Sequence, residues 1–192
     1  MILATDEITR SLAGSWDLLN RRADGLRHFS WDEASFWRSF GAVLLALPAF
    51  VAWLASDRAA LGLIAPGISL FEDSAILTQT ALDFAALWLT LPMLAFLLAP
   101  KLGISDKLIP FVIVCNWGSV IAATMLAVPA TLFAIGWATP ALSSLFVVCA
   151  AVIIMQMRWY MARVTLGVTA GAALALTCAD GLIGLGLLRL IV

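Results

Sequence analysis

The chain has 192 residues, of which 63% are apolar and 12% are charged, and its mean hydropathy is +1.04. Soluble domains carry about 45–50% apolar and about 25% charged residues, so too few polar side chains are present here to cover a water-soluble globule. The same composition excludes intrinsic disorder, and only three cysteines exclude a disulfide-stapled mini-protein. A net charge of −1 provides no basic field for nucleic acid. The composition therefore predicts an all-α, polytopic membrane protein.

Charge is concentrated at the N-terminus, where the first 35 residues hold ten of the 23 charged side chains. We expect 1–36 to be a cytoplasmic or interfacial tail and 37–192 to be the membrane domain. Thr5 is predicted to cap a short amphipathic helix, whose apolar face holds Ile8, Leu12, Trp16 and Leu19 at helical spacing. This helix either packs on the spans or lies in the headgroup plane near anionic lipid.

Five apolar stretches are predicted to span the bilayer, at about 20 residues each. They are approximately 37–55, 77–99, 109–134, 141–157 and 164–188. Ser30 and Glu33 form a capping-box pattern before the first stretch, and residues 56–74 are expected to form a loop. The 50 residues from Leu108 to Met157 carry no charge and would make roughly 75 Å of helix, so they must fold back. Gly136 to Pro140 is the expected turn.

The basic residues are unevenly distributed between the predicted loops. Nine of the eleven Lys and Arg side chains lie in the tail, at Arg38, around 101–107 or in a predicted loop at 158–163. Only Arg58 and Arg189 lie on the other side. The positive-inside rule then places the N-terminus in the cytoplasm and the C-terminus outside.

Residues suited to catalysis are sparse. The single histidine cannot form a histidine cluster for a metal, and no P-loop or nucleophile-elbow motif is present. Cys115, Cys149 and Cys178 lie on separate apolar stretches and are expected to be reduced core residues. The sequence predicts a protein that is not an enzyme and binds neither a cofactor nor a metal.

Three polar residues inside the predicted spans form a candidate intramembrane site. Asp83 and Asp180 are carboxylates in apolar helices, where a charge is costly and often functional. They could pair with the outer cations Arg58 and Arg189, or share a proton if they lie at similar depth. Asn116 is predicted to make hydrogen bonds between helices.

The start of the fifth predicted span contains small residues. Gly167 and Gly171 form a G-x-x-x-G pattern, which allows two helix backbones to approach closely. The partner helix could lie within the same bundle or in a second copy of the chain, as in a homodimer.

The layout resembles that of the Yip1-like family of small membrane proteins. The resemblance rests on the tail 1–36, the tight loop 101–107 and the turn from Gly136 to Pro140. The stretches 25–29, 36–40 and 109–112 also resemble those of uncharacterised bacterial inner-membrane proteins. The resemblance implies a five-span protein of the bacterial inner membrane with a very short outer C-terminus, and it assigns no functional residue.

Three functions are compatible with these features. The first is a non-enzymatic scaffold or accessory subunit that binds membrane-protein partners or lipid, which the many Trp and small residues favour. The second is a small transporter or channel component that uses Asp83 and Asp180. The third is a membrane-embedded enzyme, for which the sequence lacks a convergent catalytic set.

Overall fold

The computed structural model describes residues 4–64 and 74–189, and all regular structure in them is helical. Two short 3-10 turns connect α1 to α2 and α5 to α6, at Ala23–His28 and Ser105–Lys107. The α-helices of this part of the chain are α1 Thr5–Leu19, α2 Glu33–Ser39, α3 Ala42–Leu45, α4 Leu47–Ile64, α5 Ser74–Leu102, α6 Leu108–Ala134, α7 Pro140–Leu166 and α8 Ala170–Arg189.

Among the described residues, four helical stretches are long and apolar enough to cross a membrane: Glu33–Gly62, Ile76–Leu102, Ser105–Ala134 and Pro140–Leu166. The first of them joins α2, α3 and α4 in one broken helix. Its second interruption, at Ala46, lies in the turn before Pro48, which has no N–H to donate to the carbonyl of Leu44. Helix α8 contributes a shorter apolar stretch, Ala170–Gly184.

Helix α6 lies at the centre of the bundle. Nearly every residue from Phe111 to Ala123 is buried, because α6 packs against α4, α5 and α7, with α1 and α2 on its remaining side. Helix α8 packs against α5 and α7. Gly118 allows α6 and α7 to meet closely, since a Cβ at that position would lie 2.7 Å from Cε of Met161.

Two stretches predicted as loops are helical. Helix α4 continues to Ile64 rather than ending at 55, so Asp57 and Arg58 lie within it. Residues 65–73 of that predicted loop lie outside the described residues. Helix α7 continues to Leu166 rather than ending at 157, because Met161 and Leu166 extend its buried face by two further turns.

The start of α1 and α2 also differs from the sequence prediction. Helix α1 follows Ala4 and has no side-chain cap, and Trp16 is 59% exposed rather than part of the packed face. The residues that α1 buries are small, apart from one leucine: Ser11, Gly14, Ser15 and Leu18. Asp32 rather than Ser30 caps α2, and its carboxylate accepts hydrogen bonds from the main-chain N–H and the hydroxyl of Ser35 at 2.8 and 2.9 Å.

The Asp32 cap makes the start of α2 sensitive to acid. The two hydrogen bonds from Ser35 lower the pKa of Asp32 below its ordinary value of 3.8. A carboxylate with a lowered folded-state pKa stabilises the fold above its unfolded pKa and loses that effect as the pH falls through the folded one. We therefore expect the hydrogen-exchange protection of the Ser35 amide, corrected for intrinsic rates, to decrease when the pH is lowered below 3.8.

Asp32→Ala should remove the same protection at neutral pH, as measured by hydrogen exchange. Asp24→Ala is the matched control, because the pair of Asp24 with Arg27 is 77% and 84% exposed and lies outside α2. Equal protection of the Ser35 amide in both variants would contradict the capping role of Asp32.

Helix α1 and the 3-10 turn that follows it meet backbone to backbone. A Cβ on Gly14 would lie 2.7 Å from the carbonyl oxygen of Gly25. This clash is with the main chain, which cannot move aside as a flexible side chain could. We expect Gly14→Ala to separate the two segments at a cost of about 1–2 kcal/mol and to accelerate proteolytic cleavage before α2. Gly171→Ala is the control, since no atom lies within 4 Å of its Cβ position. Unchanged cleavage in Gly14→Ala would show that this contact does not hold α1.

Candidate functional site

Arg158 and Asp180 form a buried ion pair between α7 and α8. Their side chains are only 10% and 5% exposed. One guanidinium nitrogen of Arg158, Nη1, donates to Oδ2 of Asp180, and Nη2 donates to the carbonyl oxygen of Leu87 on α5. The pair therefore joins three helices through one side chain.

The partner of Asp180 differs from the prediction. Arg58 is exposed on α4, and the side chain of Arg189 lies outside the described residues. Arg158 was expected in a loop, but α7 continues past it and the turn to α8 comes only at 167–169. Arg158 lies eight residues before the end of α7 and Asp180 ten residues after the start of α8, which is about 12 and 15 Å along antiparallel helices. That similar spacing from a tight turn is the signal that predicts the pair.

Asn116 is the centre of a second buried network. Its Oδ1 accepts a hydrogen bond from Nε1 of Trp88 at 3.0 Å, and its Nδ2 donates to the hydroxyl of Ser39 at 2.9 Å. Ser39 in turn donates to the carbonyl oxygen of Phe36 at 2.7 Å. The predicted hydrogen bonds of Asn116 between helices are thus present, and they join α6 to α5 and α2. Since Leu87 and Trp88 are adjacent, both networks meet on one turn of α5.

Asp83 lies apart from Asp180. Its Oδ1 accepts a hydrogen bond from Nε2 of Gln79, one turn earlier on α5, at 2.9 Å. No hydrogen bond joins the two carboxylates, both of which lie in the described part of the chain. Asp180 therefore pairs with Arg158 instead of with Asp83. The two carboxylates do not share a proton through a hydrogen bond.

A carboxylate that the sequence assigned to a loop lies near Asp83. Asp57, on α4, accepts a hydrogen bond from the hydroxyl of Thr80 at 2.6 Å, and Thr80 is 1% exposed. Asp57 was missed because the span was expected to end at 55. Its spacing of nine residues after Pro48, with no helix-breaking residue between them, was the available signal that the helix continues.

The small-residue pattern at Gly167 and Gly171 does not lie on one helix. Gly167 ends α7 in the left-handed conformation, with φ +67°, so only Gly171 belongs to α8. Nζ of Lys107 donates to the carbonyl oxygen of Leu166 at 3.0 Å, and a Cβ on Gly167 would lie 2.7 Å from that nitrogen. Gly167 is therefore a turn residue that leaves room for a lysine, which corrects its predicted role in helix packing.

Metal-binding side chains are dispersed in the described residues. No group of three or more His, Cys, Asp or Glu side chains in 4–64 and 74–189 is placed to hold a metal ion. Cys115 is buried, Cys149 exposed and Cys178 half-buried, and each is a separate thiol.

In the part of the chain that the structure describes, all regular structure is helical and four helices are long and apolar enough to span a membrane. Asn116 and Arg158 make hydrogen bonds between those helices. Comparison of the chain with models of protein families, with curated proteins and with solved structures gave no match.

Proposed function

We propose that this chain is a non-enzymatic integral membrane protein that serves as a scaffold or accessory subunit and binds membrane-protein partners or lipid. The pairing of Arg158 with Asp180 is the main support, because two opposite charges buried between helices neutralise each other. Asn116 likewise uses both ends of its amide within the protein. Buried polar groups that are bonded in this way hold helices together.

The first half of α7 offers a surface for such a partner. From Pro140 to Ile153, only Ser143 and Ala150 are buried against the described residues. The exposed side chains there are large and apolar, including Leu145, Phe146, Val148 and Val152. A helix of another membrane protein, or lipid, could cover this surface without breaking any contact described above.

We also propose that α8 is a fifth span and that α1 is an amphipathic helix at the cytoplasmic interface. Helix α8 has 20 residues, about 30 Å of helix, which is enough to cross the hydrocarbon core. With Arg158 buried, eight Lys and Arg side chains remain on the proposed cytoplasmic side, against Arg58 and Arg189. Helix α1 exposes Arg10 and Trp16 and buries its small residues. The bacterial inner membrane and the Yip1-like layout remain predictions.

Reporter fusions test this topology. A reporter that is active only outside the cytoplasm should work after Val192, while the same reporter inserted at Gly103 should be silent. A silent reporter at Val192, in a fusion that is expressed, would contradict the proposed fifth span.

The partner-binding proposal is tested by purification from native membranes in a mild detergent. We expect a stoichiometric protein partner or a retained lipid, detected by native mass spectrometry. Val148→Trp, on α7, should release it, whereas Val51→Trp on α4 should not, although the two valines are 60% and 62% exposed. A preparation that retains neither partner nor lipid would contradict the proposal.

A small transporter or channel component is the second candidate, and the carboxylates of α4 and α5 favour it. Asp57 and Asp83 accept hydrogen bonds from Thr80 and Gln79, and neither forms an ion pair with a Lys or Arg of the described residues. In proteoliposomes with a pH gradient, proton flux that Asp83→Asn abolishes and Asp24→Asn does not would support this function. Flux equal to that of protein-free vesicles would exclude proton movement through the purified chain.

A further inference from the structure

We propose that one water molecule is bound between α5, α6 and α7, beside the buried ion pair. A cavity of about 10 Å³ lies between these helices, and its lining includes Trp88, Pro92, Ser119 and Arg158. A single water molecule requires about 10–15 Å³ and two to four polar partners. The cavity is therefore of the right size for one water molecule, and its lining decides whether water is held there.

Arg158 provides the hydrogen-bond donors. A guanidinium group has five N–H donors, and the protein supplies acceptors to two of its nitrogens, Oδ2 of Asp180 and the carbonyl oxygen of Leu87. The side chain is 10% exposed, so bulk water reaches little of it. An N–H without an acceptor in such a place is costly, and a water oxygen in the adjoining cavity would accept from it.

Acceptors for the water's own hydrogens line the same cavity. Ser119 is 5% exposed and lines the cavity, and its hydroxyl oxygen can accept a hydrogen bond from a water molecule there. Pro92 has no N–H, so the carbonyl oxygen of Trp88 lacks the donor that an α-helix would normally supply four residues later. Water that accepts from Arg158 and donates to the carbonyl oxygen of Trp88 and the hydroxyl of Ser119 would bond to all three. It would also connect α6 to the ion pair.

A structure determined at a resolution that shows ordered waters is the direct test. We expect one density peak in the cavity, about 2.7–3.2 Å from a guanidinium nitrogen of Arg158 and from a second polar atom. Absence of density, with the surrounding side chains well ordered, would overturn the proposal.

The sign of a stability change gives a second test. Ser119→Thr adds one methyl group to the cavity lining, and Ser144→Thr, on the exposed face of α7, reports the cost of the same change without a cavity. If water is bound, the methyl group displaces it, and the unfolding temperature of Ser119→Thr should fall below that of the control. A rise above the control would mean that the methyl group fills a dry void, which would overturn the proposal.

Discussion

Replacing Arg158 with methionine should lower the free energy of unfolding by about 3–5 kcal/mol. Methionine retains part of the apolar stem but removes the guanidinium group. Asp180, which is 5% exposed, then becomes an unpaired buried carboxylate, and the carbonyl oxygen of Leu87 loses its contact to α7. Most of the loss comes from the charge left behind, because an ion without a counter-ion is poorly solvated between apolar helices. Denaturant unfolding in detergent micelles measures the change.

Two comparisons separate this effect from general damage to α7. Arg163→Met removes an exposed arginine that lies over the ring of Trp159, 5.6 Å from its centroid, and should cost less than about 1 kcal/mol. The double variant Arg158→Met/Asp180→Leu removes both charges and should recover most of the stability that Arg158→Met loses. Equal costs for Arg158→Met and Arg163→Met would contradict a buried ion pair.

Local sequence signals predicted the turn between α6 and α7. Helix α6 ends at Ala134, and α7 begins at Pro140 after Thr139, whose hydroxyl oxygen accepts a hydrogen bond from the N–H of Leu142 at 3.3 Å. Gly136 adopts a φ of +77°, which glycine favours. Each of these residues favours a turn through its own chemistry, so neighbouring helices are not needed to predict it.

The charged residues within helices could not be placed from the sequence in the same way. The segment Arg158-Trp159-Tyr160 has the composition of an interfacial loop. Only the ion pair with Asp180 shows that Arg158 is buried. Asp180 is found as the partner once the turn at 167–169 is known, because the turn determines which residues of α7 and α8 lie beside each other along the two antiparallel helices. The end of α4 was misplaced for the same reason, since Asp57 was taken as a boundary charge although Thr80 of α5 donates to it.

The packed face of α1 shows a second limit of pattern analysis. Helical spacing groups Ile8, Leu12 and Trp16, but it does not say which part of that face contacts the bundle. In the structure, Gly14 approaches the main chain of the following turn and Trp16 is exposed. Small side chains allow close helix contact, and a large aromatic ring prevents it, so close packing decided the orientation of α1.

Asn116→Leu should lower the free energy of unfolding by about 2–3 kcal/mol, because a buried polar group that loses its partner costs about 1–3 kcal/mol. The variant leaves Nε1 of Trp88 without an acceptor, and Trp88 is 4% exposed. The hydroxyl of Ser39 loses a donor but keeps its bond to the carbonyl oxygen of Phe36. Leucine has the branching of asparagine and is not smaller, so the variant leaves lost hydrogen bonds rather than a cavity.

A double-mutant cycle identifies the bond that carries this cost. Trp88→Phe removes the indole N–H, so it should cost less in the Asn116→Leu background than in the wild type, by about 1 kcal/mol. Gln156→Leu is the matched control, because its amide makes a single 3.3 Å bond to the carbonyl oxygen of Leu19 and is only partly buried. Fully additive costs for Asn116→Leu and Trp88→Phe would show that the two side chains do not stabilise the bundle through their hydrogen bond.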